Sequence, residues 1–405
     1  MPNLSDRLKA LGVRLGARDL PPPRPKAENP YAVTRILPGK FLPTDYGPVF
    51  AVEKWFGADY RHGHQPAAFR PAPPLLSTWL DASRPACTAA ETVAYLDTET
   101  TGLSGGTGTY AFMVGVAFYR ETGLQTVQLF MTSPDEEPAL LAALSSLLQG
   151  TDTLVTFNGK EFDVPLLQTR YRLNRMESPL DSPVQLDLLP LARRLWRDRL
   201  PERSLGYLEQ AILGATRTEE DVPGRLIPYL YFSYLRSGDA RPLRGVFYHN
   251  RMDLLAMAGL LNHVADLLES PLDGRVAHPL DRLALARLCE SAGRVALAEQ
   301  LYRLSLEAGL PEESYQDALA RLSALLKRQG RLAQAIPLWE EAAQAGQIYA
   351  CVELAKYYEH TARDLTQALR WTEAGLSLLT TPSRRARWHA ELRHRQKRLH
   401  RRLGR

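Results

Sequence analysis

The sequence of 405 residues predicts a mixed α/β sheet domain followed by an all-α repeat domain. Two observations carry that expectation. From about Thr92 three β-rich runs come first, and strands then alternate with helices; that order builds a mixed sheet covered by helices. From about Pro279 the strand signals stop and a helical pattern repeats. The length agrees, because one ordinary core does not serve so long a chain.

Residues 1–90 read as an N-terminal arm. A short helix is expected over 4–15, then a proline-rich linker over Pro21–Pro25. The run 46–53 looks β-like, and a second proline cluster lies at Pro71–Pro74. Residues 91–270 form the sheet domain. Runs 92–97, 110–119 and 126–131 are rich in β-branched and aromatic residues and read as strands. Pro134 opens a helix to about 148. A strand at 153–157, a helix at 161–173, a strand at 184–186 and a helix at 188–197 follow. Ser204 is expected to cap a helix to about 213, and a last helix begins near Tyr248 and runs to about 268. This order matches the ribonuclease-H-like arrangement at the level of fold.

Residues 279–380 repeat. Gly293 to Tyr302 echoes Gly330 to Trp339, and Ala298 precedes its counterpart Ala335 by 37 residues. A third unit around Ala368 follows 33 residues later, with Leu354, Ala355 and Tyr358 in its first helix. Small residues followed by an aromatic at a period near ~34 are the tetratricopeptide signature. Such solenoids present partner-binding faces; the alternative is a packing or dimerisation unit.

Net charge is +5, but residues 383–405 hold ten Lys/Arg against one Glu, so this tail carries +9 and the rest of the chain −4. A basic tail suits polyanions, and a solvated helix explains it equally well. Cys87, Cys289 and Cys351 form no CxxC pair, which argues against a disulfide framework or zinc ribbon and suits the reducing cytoplasm. No stretch reaches the ~18 apolar residues of a membrane span, and Met1–Leu15 has no signal-peptide h-region.

The chemistry concentrates in acids at element ends. Asp97 and Glu99 are two apart on a strand and so share a face. Like charges that close repel unless a cation sits between them, and a hard divalent metal is the simplest cation. Asp163 follows Asn158 and Phe162 at the start of a helix. Asp187 ends a strand. His249 and Asp253 lie four apart on one helix face, where imidazole beside a carboxylate can act as a general base. Each alone has an ordinary explanation: a solvated strand end, a helix-start acid favoured by the dipole, a hydrogen-bonded histidine.

Taken in order, Asp97-Thr98-Glu99, Asn158 to Phe162-Asp163 and the terminal Asp253 resemble the DnaQ-like, DEDD-type 3′→5′ exonucleases. The wider text, from Asp97 to Tyr110, with Asp221-Val-Pro-Gly224, Ile227-Pro228 and His249-Asn250-x-x-Asp253, resembles the YprB/MrfB-type branch, which also carries tetratricopeptide repeats. The resemblance covers roughly residues 30–380. It implies two ions, Mg²⁺ or Mn²⁺, held by Asp97, Glu99, Asp163 and Asp253, with Asp97 bridging them at about 3.5–4 Å separation. It implies His249 as the base, four residues before Asp253, with Tyr248, five before, as a second candidate. Thr98, Asn158 and Asp187 are expected beside the site, Asp187 supporting it rather than touching metal. The implied substrate is DNA, in repair with a partner helicase on the repeats; RNA processing and a binding-only adaptor are the competing readings. The loop 102–108 lacks the Gly-Lys-Ser/Thr of a phosphate loop and reads as a tight turn. His62 and His64 read as a polar loop. Arg193, Arg194, Arg197 and Arg199 could meet phosphates or simply face solvent.

Overall fold

The computed structural model describes residues 29–71, 76, 89–102, 108–120, 123–272, 276–379 and 382–404. The expected helix over 4–15, the Pro21–Pro25 linker, Cys87 and most of the glycine-rich loop lie outside these residues. A short helix α1 (Val33–Ile36) leads into strands β1 (Gly39–Thr44) and β2 (Gly47–Gly57), followed by a small hairpin of β3 (Arg61–His62) and β4 (Gln65–Pro66). Then come β5 (Val93–Thr100), β6 (Ala111–Arg120), β7 (Gly123–Phe130), α2 (Glu137–Leu147), β8 (Thr153–Thr156), α3 (Asp163–Leu173), β9 (Val184–Asp187), α4 (Leu188–Trp196), α5 (Leu205–Ala211), α6 (Ile227–Ser237) and α7 (Leu243–Glu269).

The seven-stranded sheet has the order β1-β2-β7-β6-β5-β8-β9. Strands β1, β2, β7, β6 and β5 pair antiparallel, whereas β5–β8 and β8–β9 are parallel. This is a mixed sheet with helices, of ribonuclease-H-like form. It corrects the reading of residues 31–90 as an arm, because β2 hydrogen-bonds along β7 from Phe50↔Phe130 to Gly57↔Gly123 and makes the sheet two strands wider. Strand alternation splits the core. Val93 and Tyr95 of β5 pack on one face with α4 and α7, while Ala94 and Leu96 pack on the other with α2 and α3. Helix α7 starts at Leu243, five residues earlier than expected, so His249 and Asp253 sit within it rather than at its mouth. Ser204 occupies the N-cap position of α5 without a capping bond, because its hydroxyl donates to Glu202 instead.

Seven helices follow: α8 (Pro279–Ser291), α9 (Val295–Glu307), α10 (Glu312–Arg328), α11 (Leu332–Gln344), α12 (Ile348–His360), α13 (Leu365–Ser377) and α14 (Pro382–Leu403), each packed on the next. Their core is continuous with that of the sheet domain. Leu283 and Leu285 of α8 share one buried cluster with Leu188 and Leu191 of α4 and with Leu319 and Leu354 farther along. Arg199 pairs with Asp281 and Arg287 with Asp198 across the same junction. The basic tail is structural in part. Leu392 and Leu399 of α14 are buried, and Arg395, Arg398 and Arg402 converge on the buried carboxylate of Glu359 in α12. Burial alone would raise the Glu359 carboxyl, but the arginines outweigh it and hold it below the ordinary value. Cys289 and Cys351 are buried and unpaired.

Candidate active site

Strand β5 delivers the first two carboxylates. Asp97 and Glu99 stand opposite Gly115 and Met113 of β6, and the register slips just after Glu99, between Glu99 and Thr100. Both side chains lie at the buried end of a cleft, Glu99 only 9% exposed. Between them Thr98 donates its hydroxyl to Asp163, the first residue of α3.

Helix α7 meets this strand through a fully buried amide. Asn250 Nδ2 donates to Asp97 Oδ2 at 2.7 Å, and Asn250 Oδ1 accepts from Gln128 Nε2 of β7 at 2.9 Å. Gln128 Nε2 also donates to the carbonyl of Phe247 at 2.8 Å. The relay fits because residue 115 is glycine: a Cβ there would come within 2.1 Å of Asn250 Oδ1. The same helix brings Asp253, whose Oδ2 is 3.6 Å from His249 Nε2. His249 Nδ1 lies 2.8 Å from Asp221 Oδ1. Arg217 Nη1 also lies 3.3 Å from Nδ1; a neutral ring that donates Nδ1–H to Asp221 would present Nε2 to the Asp253 side. Tyr248 turns elsewhere, its hydroxyl accepting the Thr218 N–H at 3.0 Å.

Asp187 is held by backbone. Its carboxylate caps α4 through Leu189 N–H at 3.0 Å and accepts from Asn158 N–H at 2.8 Å and Lys160 N–H at 3.2 Å. It therefore shapes the turn before α3, in which Asn158 adopts a left-handed φ of 65° that asparagine tolerates.

Arg217 is the residue that sequence reasoning missed. It stands between α5 and α6 and reaches three carboxylates: Glu209 at 2.6 Å, Asp221 at 3.5 Å, and Asp253 by a short ion pair. Glu209 is anchored in turn by His62 at 2.7 Å, so β3 is a buttress of the site rather than a polar loop. His64 contacts His263 instead. Burial would lower the Arg217 pKa, but Asp253 and Glu209 raise it on balance. Arg217, Asp221, His249 and Asp253 line a cavity of about 500 Å³. Of the four-arginine cluster, Arg197 pairs with Asp198 and Arg199 with Asp281.

The electrostatics mark an unneutralised cluster. Burial, then repulsion from Asp253, Glu99 and Asp163, holds Asp97 well above the ordinary carboxylate range. Burial, then Asp253 and Asp163, does the same for Glu99. Burial pushes Asp163 up to about 6 against the opposing bond from Thr98. Among the described residues, no three acid, imidazole or thiol side chains stand at the spacing of a closed metal cluster. The hydrogen bonds explain this, since Asn250 holds Asp97, Thr98 holds Asp163 and Arg217 holds Asp253. The donor types nonetheless fit a hard divalent cation: carboxylates only, mutually repelling, with no thiol among them.

A family model described as the RNase_H superfamily matches residues 94–265, the span that contains every one of these acids. The chain is 37% identical over 292 residues to the uncharacterized protein YprB of Bacillus subtilis, covering 70% of this chain and 68% of that one. Among solved structures, it is similar at 16% identity and a TM-score of 0.34 to the family B DNA polymerase of the archaeon Pyrobaculum calidifontis. That likeness covers 63% of this chain and only 33% of the polymerase.

Proposed function

Because this chain belongs to the family of YprB and carries an RNase_H superfamily domain over residues 94–265, we propose that it is a metal-dependent 3′→5′ exonuclease that hydrolyses DNA to nucleoside 5′-monophosphates. One observation carries the reading: Asp97, Glu99, Asp163 and Asp253 repel one another in a cleft beside Nε2 of His249. Two divalent ions held by these four carboxylates would neutralise them, polarise the scissile phosphate and acidify a bound water. The chain's own residues do the rest. The Gln128–Asn250 relay aims Asp97 Oδ2, and Thr98 aims Asp163. Asp221 keeps the proton on His249 Nδ1, so that Nε2 accepts one from the attacking water. Arg217 holds Asp253 and contributes positive charge where a phosphate must enter. The helices of 279–380 are read as tetratricopeptide-like repeats on the strength of their 37- and 33-residue spacing, and a repair helicase is the partner that the family resemblance implies for them.

The test is a nuclease assay. With Mn²⁺ or Mg²⁺ the purified protein should shorten 5′-labelled DNA stepwise and release mononucleotide from 3′-labelled DNA, and Asp253→Ala should stop both. Undiminished activity in Asp253→Ala would overturn the assignment. Equal or faster cleavage of a matched RNA would move the substrate to RNA, whose 2′-hydroxyls a protein can read.

A second expectation concerns pH. Without metal, the folded chain keeps protons on Asp97, Glu99 and Asp163 that the unfolded chain releases above the ordinary carboxylate range. The native state then binds more protons, so stability falls as pH rises through about 6 and beyond. A cation removes that loss. The rise in Tm produced by Mn²⁺ should therefore be larger at pH 8 than at pH 5, as differential scanning calorimetry would measure. An equal rise at both pH values would put the ion elsewhere.

A further inference from the structure

Helix α6 is fixed on one side and bare on the other. Ile227, Tyr231 and Tyr234 are buried, with Tyr231 stacked on Phe112 at 4.0 Å and nearly parallel, and Tyr234 against Phe130. The outward side carries Arg225 in the turn just before the helix, then Tyr229, Phe232 and Arg236. Their spacings of four, three and four residues put all four on one stripe. Tyr229 is 64% exposed and Phe232 43%, unusual for rings on a helix whose other face is core. The helix sequence Ile-Pro-Tyr-Leu-Tyr-Phe-Ser-Tyr-Leu-Arg-Ser contains no acid. Arg225 and Arg236 make no ion pair among the described residues.

The stripe begins at the candidate active site. A Cβ on Gly224, the neighbour of Arg225, would lie 3.8 Å from His249 Nε2. Just before α3, Phe162, 56% exposed, precedes Asp163. From Arg225 to Arg236 the helical rise amounts to about 16 Å, enough for a few nucleotides of an extended strand. Exposed rings accept any base by stacking, and flanking arginines hold the phosphates.

We propose that the outer face of α6 is the track for single-stranded nucleic acid leading to the site, with bases on Tyr229 and Phe232 and phosphates on Arg225 and Arg236. The inference deepens the nuclease reading, on which it rests for the direction of the strand. A protein partner is disfavoured because the two cations bracketing the rings have no counter-charge on the helix, and because the face runs into the acid cluster rather than away from it.

The experiment separates the two readings. Binding of a fluorescent thymidine oligonucleotide of roughly fifteen nucleotides to the full-length protein is measured by anisotropy in EDTA, where no cleavage occurs. Tyr229→Ala with Phe232→Ala should weaken binding at least tenfold, since stacking contributes about 1–3 kcal/mol per base. Arg225→Gln with Arg236→Gln should flatten the salt dependence by roughly 1.4 in logarithmic slope, the share of two phosphates on a single strand. Both aromatic substitutions are at the surface, so their Tm should match the parent. Undiminished oligonucleotide binding by the aromatic variant overturns the track, as does a variant that keeps its oligonucleotide affinity while losing a protein partner. Loss of binding in the variants of a parent that never hydrolyses DNA would sustain the track and sink the nuclease assignment.

Discussion

Asp97→Asn should abolish hydrolysis and at the same time make the metal-free protein more stable at neutral pH. The two effects have one cause. Asp97 is half-buried and faces Asp253, Glu99 and Asp163, so ionising it without a cation is costly. An asparagine fits the same volume, and its Oδ1 can keep accepting from Asn250 Nδ2, as Asp97 Oδ2 does at 2.7 Å. Its own amide then points at the remaining acids as a donor. The uncharged side chain loses the ability to hold ions, and a loss of about 4 kcal/mol of transition-state stabilisation corresponds to roughly a thousandfold in rate. The gain in Tm should be larger at pH 8 than at pH 5, because a carboxyl held well above its ordinary range keeps more of its proton at the lower pH. Calorimetry with and without Mn²⁺, beside the nuclease assay, reads all three outcomes. A variant that melts lower than the parent at pH 8 would show that Asp97 is stabilised as an anion, contrary to the electrostatics described.

Gly115→Ala should be the most damaging small substitution in the sheet. The added methyl would stand 2.1 Å from Asn250 Oδ1, inside a core where Asn250 is completely buried and bonded at both ends. Neither side can yield, since Gly115 is in the middle of β6 and Asn250 within α7. Overpacking costs about 1–3 kcal/mol, and a broken buried amide adds about 1–3 more. Displacement of Asp97 by even a fraction of an ångström should lower the rate roughly a hundredfold. Denaturant unfolding in the Asn250→Ala background checks the cause. There the methyl has room, and the alanine at 115 should add little further loss; a fully additive loss would locate the clash elsewhere.

The strands and the acids were legible because both are local signals. Runs of β-branched residues mark β5 to β7, and Asp163 and Asp187 fall at element ends, where the chain itself signals a change; Asp97, expected at a strand end, stands inside β5, which runs on to Thr100. Three things were not legible, each for lack of a local signal. Strand β2 looked β-like, but its partner β7 lies some seventy residues onward, and nothing in either run specifies the pairing. Asn250 stood in plain view beside His249, yet its purpose depends on the absence of a side chain at Gly115, on another element. Arg217 lies in an irregular connection with no periodic pattern, and its three carboxylates come from α5, a loop and α7. The start of α7 was misplaced for a related reason: Leu243, Val246 and Phe247 are buried in the core, and packing rather than a cap extends the helix backward.

The shared core between α4 and α8 also bears on how the molecule transmits load. Leu188, Leu191, Leu283 and Leu285 belong to one packed body, and two ion pairs stitch its rim. A pull on the C-terminal helices would thus reach the carboxylate cleft through packed side chains, as one body, instead of through a slack linker.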